Sequence, residues 1–247
     1  MAHPPGVAAG DGVVELAVYG APGELPELAP GEAVVGGVVV SVSATQVRDD
    51  WAERWKSFHV PVLVGDRLRV RPPWEDADRE DGVIDLVVDP GRAFGTGSHF
   101  TTRLCLELLL ELAEGGEGGS VCDLGCGSGV LSIAAAKLGF SPVSAFDFDP
   151  LAIEATEANA AANAVALAQV ERLDLRRAPA PSADLILANL MRPLLLQVAA
   201  RMDSDPRLLV ASGLLDEEAE EVAAAFEHLR ERRRISDGGW TALLLAR

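Results

Sequence analysis

Nine residues constrain this chain more than any other stretch: residues 121–129 read Val-Cys-Asp-Leu-Gly-Cys-Gly-Ser-Gly. Val121–Leu124 suit the end of a buried strand. Gly125, Gly127 and Gly129 make a turn with almost no side-chain bulk, and Val130–Leu138 follow as a helix apolar on one side. Glycine accepts positive φ and has no Cβ to obstruct an approaching ligand. The helix start offers N–H groups that lack intrahelical partners. A strand–glycine turn–helix unit of this kind brings main chain close to a nucleotide. Here the spacing is G-x-G-x-G, not the G-x-G-x-x-G of dinucleotide sites. An acid, Asp123, precedes it on the strand side. A second acid, Asp147, stands 22 residues beyond Gly125 at the end of the mostly apolar run Val143–Phe146. That is about where an acid holds the ribose hydroxyls of a βαβ nucleotide site. A glycine turn in some other α/β protein is the plainer alternative, and the strand, helix and acid around this one count against it.

The order of elements fixes the fold class. After the glycine turn come a strand to Phe146 and a helix entered through Asp149 and Pro150 and running to about Asn163. Asp149 suits an N-cap and Pro150 a first turn. Val170–Leu173 and Ala183–Ala188 read as strands. Pro193 sits early in a helix to about Met202, and Arg207–Ala211 is another strand. Asp216–Leu229 reads as a helix with an acidic first turn, and Arg232–Ser236 with Trp240–Leu245 as a closing hairpin. Alternating strands and helices ending in a hairpin predict an α/β fold: a mostly parallel, doubly wound seven-stranded sheet with an antiparallel last strand.

Upstream the chain is less regular. Residues 1–10 offer nothing to pack and are expected to be disordered. Val13–Tyr19 and Val34–Val42 read as strands around a proline-rich loop, giving a small β-rich N-terminal unit over 1–48. Trp51, Trp55 and Phe58 fall on one helical face, more suited to packing than to binding. Val60–Val64, Arg67–Val70 and Ile84–Val88 are expected strands of a lead-in segment over 49–92, before the main domain over 93–247.

Composition narrows the function. The 247 residues carry 21 basic and 38 acidic side chains, a net charge of −17, which opposes sequence-independent attachment to phosphate backbones and favours a basic partner. Solubility alone is the simpler reading of that charge. No apolar run reaches the ~18 residues of a spanning helix. Ala33–Val42 is broken by glycines and lacks a preceding basic region, so no signal peptide is expected and the location is read as cytoplasmic. Cys105, Cys122 and Cys126 form no CxxC pair and read as reduced, buried thiols; no metal is expected.

The second anchor is Asp89-Pro90-Gly91-x-Ala93-Phe94-Gly95-Thr96-Gly97-x-His99-x-Thr101-Thr102, a loop leading into a helix from about Thr102 to Leu112. The glycine turn with Asp147 resembles motifs I and II of class I S-adenosylmethionine-dependent methyltransferases. The longer pattern resembles that of the ribosomal protein L11 methyltransferase family. Further matches are Asp50-Trp51, Trp55-Lys56, Val64–Leu68, Pro72-Pro73-Trp74-Glu75, Asp147-Phe148-Asp149-Pro150, Asn159, Asn163 and Ala188-Asn189-Leu190. The resemblance runs from about Asp50 to the C-terminus. The first 45 residues are shorter than the family's α/β substrate-recognition domain.

The resemblance implies a Rossmann-like methyltransferase that uses S-adenosyl-L-methionine on a basic protein, ribosomal protein L11 by analogy. It implies that Gly125, Gly127 and Gly129 admit the methionyl and ribose part, that Asp147 accepts from the ribose hydroxyls and that Phe148 faces the adenine. It also implies that Phe94, Gly95, Thr96, His99 and Thr102 cover the cofactor from the other side, with Asn189 at the reacting end. The methyl donor already carries a good leaving group, so placing an uncharged amine in line with the methyl is the main task. Asn189 is expected to orient that amine through its side-chain carbonyl, or Leu190 through its backbone. Asn189-Leu190-Met191-Arg192 lacks the Asn-Pro-Pro-Tyr pattern of amide and base methylators, which favours an amine: a lysine or an N-terminal α-amine. A helix N-cap is the alternative role for Asn189. His99 is a weak candidate base that more often shapes its loop. A small-molecule methyltransferase and a non-catalytic cofactor-binding docking module are the competing functions.

Overall fold

The computed structural model describes residues 7–9, 13–15, 31–35, 38–42, 59–76, 82–91, 97, 99–202 and 205–247. The expected aromatic helix face of Trp51, Trp55 and Phe58 lies outside them. The chain divides into two compact units, Met1–Trp51 and Ala52–Arg247.

The smaller unit holds two antiparallel pairs: β1 (Val7–Ala9) with β2 (Val13–Glu15), and β3 (Gly31–Val35) with β4 (Val38–Val42). Two expectations change here. Val7–Ala9 is paired strand rather than disordered chain, and the single strand expected over Val34–Val42 is a hairpin. Apolar periodicity alone does not register the reversal between β3 and β4.

Among its described residues the larger unit begins with three short strands, β5 (Val62–Val64), β6 (Leu68–Arg71) and β7 (Ile84–Val87). β5 is antiparallel and β7 parallel to β6. Helix α1 (Phe100–Glu114) follows, then β8 (Val121–Leu124), α2 (Val130–Lys137), β9 (Val143–Asp147), α3 (Pro150–Ala162) and β10 (Gln169–Arg172). The chain then returns through β11 (Leu185–Asn189), α4 (Arg192–Arg201), β12 (Leu208–Leu215), α5 (Ala219–Ala225), β13 (Arg230–Asp237) and β14 (Trp240–Ala246). The sheet order is β10-β9-β8-β11-β12-β14-β13; the first five strands are parallel and β14 runs against β12. The helix expected over Asp216–Leu229 is only a 3-10 turn at Asp216–Glu218 followed by the seven residues of α5. Among the described residues no helix is long and apolar enough to cross a membrane.

Strict alternation on the central strands builds two cores. Leu185, Leu187, Leu208, Val210, Ala242 and Leu244 face the layer of α1, α2 and β5–β7. Ile186, Ala188, Leu209, Ala211, Leu243 and Leu245 face α4 and α5. A strand buried on both faces has no polar side, which is why β11 reads as a continuous apolar run. Burying each such leucine contributes about 2 kcal/mol. The exposed edge strand β13 carries Arg230, Arg232, Arg233 and Arg234, a charge density that discourages pairing with another chain.

Candidate active site

The chain runs outward from β8 to β9 and β10, then crosses back to β11 on the other side of β8. The carboxyl ends on either side of such a reversal border a crevice where ligands sit in open α/β sheets. Four segments meet at that edge: Gly125–Gly129 after β8, Asp147–Asp149 after β9, Asn189–Leu190 after β11, and the bulged Ser212–Gly213 in β12.

The glycine turn is held from within. The N–H groups of Gly125 and Cys126 both donate to Phe146 O, at 2.7 and 3.0 Å, and Gly129 N donates to Cys126 O at 2.8 Å. Gly127 N donates to Asp147 Oδ2 at 3.0 Å. The expectation that this turn presents bare amides to a ligand therefore does not hold for these four: strand β9 and the turn itself take them. The carbonyls are occupied too. Cys126 O accepts from Gly129 N and Gly129 O from Ile133 N, Gly127 O from Thr156 Oγ1 and Ser128 O from Asn159 Nδ2. Among the described residues the carbonyl of Gly125 accepts no hydrogen bond, so the polar group this turn offers is an acceptor, of the sign an ammonium or sulfonium needs.

The glycines are required by close packing as well as by backbone angle. Gly125 and Gly129 lie at φ 71° and 80°. A Cβ on Gly125 would stand 2.4 Å from Leu190 Cδ2, and one on Gly129 2.8 Å from Thr156 Cγ2 and 3.1 Å from Thr156 Cα. Gly129 caps α2 and lets α3 approach.

Asp147 sits one strand over. Oδ2 accepts from Gly127 N and Oδ1 from Asp149 N, each at 3.0 Å. A carboxylate has roughly four lone-pair sites, so two remain for a diol. Next to it the Phe148 ring is 54% exposed, a large apolar surface left open beside the acid. The Arg176 guanidinium lies over this ring at 5.1 Å, and Arg172 Nε donates to Phe148 O at 2.7 Å. The helix behind starts as the sequence predicts, with Asp149 Oδ1 accepting from Leu151 N and Pro150 in the first turn.

On the other side, His99 is the N-cap of α1. Its Nδ1 accepts from Thr101 N at 3.3 Å and lies 2.8 Å from Thr101 Oγ1, and its ring packs edge-on against Trp240. Those contacts make it a loop-shaping residue. Thr102, 1% exposed, meets Asn189 Nδ2 through Oγ1 at 3.4 Å. Asn189 does not cap α4, whose N-cap is Met191. Phe94, Gly95 and Thr96 lie outside the described residues.

Sequence reasoning named Asp123, Asn159 and Asn163 but missed Thr156 and what all four bond to behind the turn. Asp123, 1% exposed, accepts from Ser132 N at 3.1 Å and Ser132 Oγ at 2.5 Å. Burial pushes its carboxyl up to about 7, against the pull of those bonds, with the Asp147 carboxylate adding to the rise. Thr156 and Asn159 on α3, with its C-cap Asn163, form a buried polar stripe. Their i, i+3, i+7 spacing within an alanine-rich helix was the available signal.

The profile of the family described as ribosomal protein L11 methyltransferase (PrmA) matches residues 32–247, beginning upstream of the expected Asp50. The ribosomal protein L11 methyltransferase of Pelotomaculum thermopropionicum is 42% identical over 205 residues, covering 81% of this chain and 66% of that protein. That of Caldanaerobacter subterraneus subsp. tengcongensis is 38% identical over 200 residues, covering 80% and 64%. The chain thus spans just under two thirds of the length of these curated relatives. The crystal structure of the ribosomal protein L11 methylase of Lactobacillus delbrueckii subsp. bulgaricus superposes with a TM-score of 0.68 at 29% identity, covering 76% of this chain and 99% of that one.

Proposed function

The chain belongs to the ribosomal protein L11 methyltransferase family, and from that membership we propose that it transfers methyl groups from S-adenosyl-L-methionine to amines of a basic ribosomal protein, L11 or one like it, in the cytoplasm. The amines are lysine side chains or an N-terminal α-amine. The reading is carried by the Asp147 carboxylate, tied on both oxygens to main chain yet keeping lone pairs in hand, one strand from the glycine turn.

The residues present fit this cofactor. Asp147 would accept from the ribose hydroxyls, and Phe148 would cover the adenine. The Gly125 carbonyl would accept from the methionyl ammonium. By the family resemblance Phe94, Gly95, Thr96, His99 and Thr102 would cover the cofactor from the other side. When bound, the cofactor supplies an activated methyl on a sulfonium. The protein's share is then to hold an uncharged amine in line with that methyl. With Asn189 Nδ2 turned to Thr102, Asn189 Oδ1 is the atom left to accept from the amine and aim its lone pair. A Cβ on Gly213 would lie 2.4 Å from Leu190 O. That carbonyl therefore faces β12, which favours the Asn189 side chain over the Leu190 backbone as the orienting group. The net charge of −17 suits a basic substrate. The N-terminal unit, over about residues 1–48, would act as a reduced substrate-recognition region.

Calorimetric titration with S-adenosyl-L-methionine tests the cofactor, and wild type and Asp147→Ala giving the same heat would defeat the reading. Methyl-labelled cofactor offered with purified L11 and with other ribosomal proteins tests the acceptor. Label in another protein and none in L11 would overturn the substrate while leaving methyl transfer intact.

A further inference from the structure

Helix α3 packs against the sheet with one face that is polar where its surroundings are apolar. Thr156 is 0% exposed, Asn159 3% and Asn163 8%. Burying such groups is costly unless each is bonded, and each is bonded to main chain. Thr156 Oγ1 lies 3.1 Å from Gly127 O and 3.3 Å from Cys126 Sγ. Asn159 Nδ2 donates to Ser128 O at 2.8 Å, and its Oδ1 accepts from Asp89 N at 3.0 Å. Asn163 pairs with both polar groups of Val87, donating to O at 2.6 Å and accepting from N at 2.9 Å.

The three side chains do different work. Asn163 acts as a substitute strand partner for the end of β7. Thr156 and Asn159 each hold a carbonyl of the glycine turn and pull it toward α3, away from the crevice. Asn159 does more, because the same amide also fixes Asp89, the first residue of the Asp-Pro-Gly motif. One side chain thus links the turn after β8 to the chain leaving β7, elements 31 and 70 residues from it in sequence.

We propose that Asn159, assisted by Thr156, is a positioning residue for the cofactor: it turns the Gly127 and Ser128 carbonyls away from the crevice, fixes the turn so that the Gly125 carbonyl faces the ligand, and couples that turn to Asp89. The proposal rests on the cofactor reading above. Asn163, the C-cap of α3, shares the burial but does not touch the turn, so it separates positioning from packing.

The test is calorimetric titration of the full-length protein with S-adenosyl-L-methionine, alongside urea unfolding of each variant. Asn159→Ala removes both tethers. Asn159→Asp keeps the acceptor for Asp89 N but sets a carboxylate oxygen against Ser128 O. Both should weaken the cofactor by about tenfold, the worth of one well-placed hydrogen bond. Thr156→Val should weaken it by about threefold on the same scale. Asn163→Ala should lose as much resistance to urea as Asn159→Ala yet bind within about twofold of wild type, since it breaks bonds of the same kind elsewhere. Equal weakening by Asn163→Ala and Asn159→Ala, or wild-type affinity in Asn159→Ala, overturns the proposal. Failure of the wild type to bind instead rejects the cofactor reading. Should the alanine variant not fold, hydrogen exchange of the wild type decides. Cofactor should slow exchange at the Asp89 amide together with the amides of the glycine turn, and slowing confined to the turn would refute the coupling.

Discussion

Gly213 offers a sharp test of how the reacting end of the crevice is built. It lies at φ 84° in the bulged part of β12. An alanine there would carry about 1–2 kcal/mol of backbone strain. Its Cβ would also stand 2.4 Å from Leu190 O, 2.7 Å from Leu190 C and 3.1 Å from Leu190 N, where carbon contacts settle at about 3.5–4.0 Å. Leu190 cannot simply retreat. Its N–H donates to Ser212 O at 2.9 Å, and its side chain is seated where a Cβ of Gly125 would be. Relief means moving the peptide and losing that bond, for about 1–3 kcal/mol of overpacking and about 1 kcal/mol of hydrogen bonding. Gly213→Ala should therefore cost about 3–6 kcal/mol, a large part of a typical stability of about 5–15 kcal/mol. Gly239→Ala is the matched control: φ is 82° but no atom lies within 4 Å of the new Cβ, so only the strain of about 1–2 kcal/mol applies. In urea unfolding followed by tryptophan fluorescence, Gly213→Ala should shift the midpoint down by about 1–2 M, well beyond Gly239→Ala. Cofactor affinity should fall in Gly213→Ala alone, because Leu190 carries Asn189 with it. Coincident midpoints for the two variants would refute the steric account.

Three further outcomes follow from the same geometry. Asp147→Ala should weaken S-adenosyl-L-methionine by about a hundredfold, from two lost charge-assisted hydrogen bonds of about 1.5 kcal/mol each; calorimetry reads it, and a loss under about threefold contradicts the assignment. Asp123 titrates at about 7 when folded and near 3.9 when unfolded, so between these values the folded chain holds more protons and stability falls as pH rises, levelling above about 7. From pH 5.5 to 7.5 the fall should be about 2 kcal/mol and should vanish in Asp123→Asn, so parallel urea midpoints for the two proteins would show that Asp123 is not the group responsible. Burial pushes the thiols of Cys105 and Cys122 up to about 12 and raises that of Cys126 as well. All three should therefore resist a thiol reagent at pH 8 until urea is added, and fast labelling of the native protein would disprove their burial.

The sequence by itself determined what depends on neighbours along the chain. The end of β8, the glycine turn, the Asp149 cap with Pro150 and the closing hairpin are set by capping groups, backbone angles and strand alternation, which act over a few residues. The seven-stranded sheet follows from the order of those pieces. Tertiary structure decided what each group faces. The turn's amides turn inward because β9 lies beside β8 and supplies Phe146 O and Asp147. The stripe along α3 has a purpose only because the glycine turn and the end of β7 both lie beside it, and Leu190 is pinned only because Gly125 and Gly213 flank it. Where the Asp216–Leu229 helix falls short, acidic patterning indicated a helix start but not how much of the stretch stays helical. Hydrogen-bond partners 20 to 76 residues apart are chosen by which strands end up adjacent, and no local pattern of residues encodes that choice.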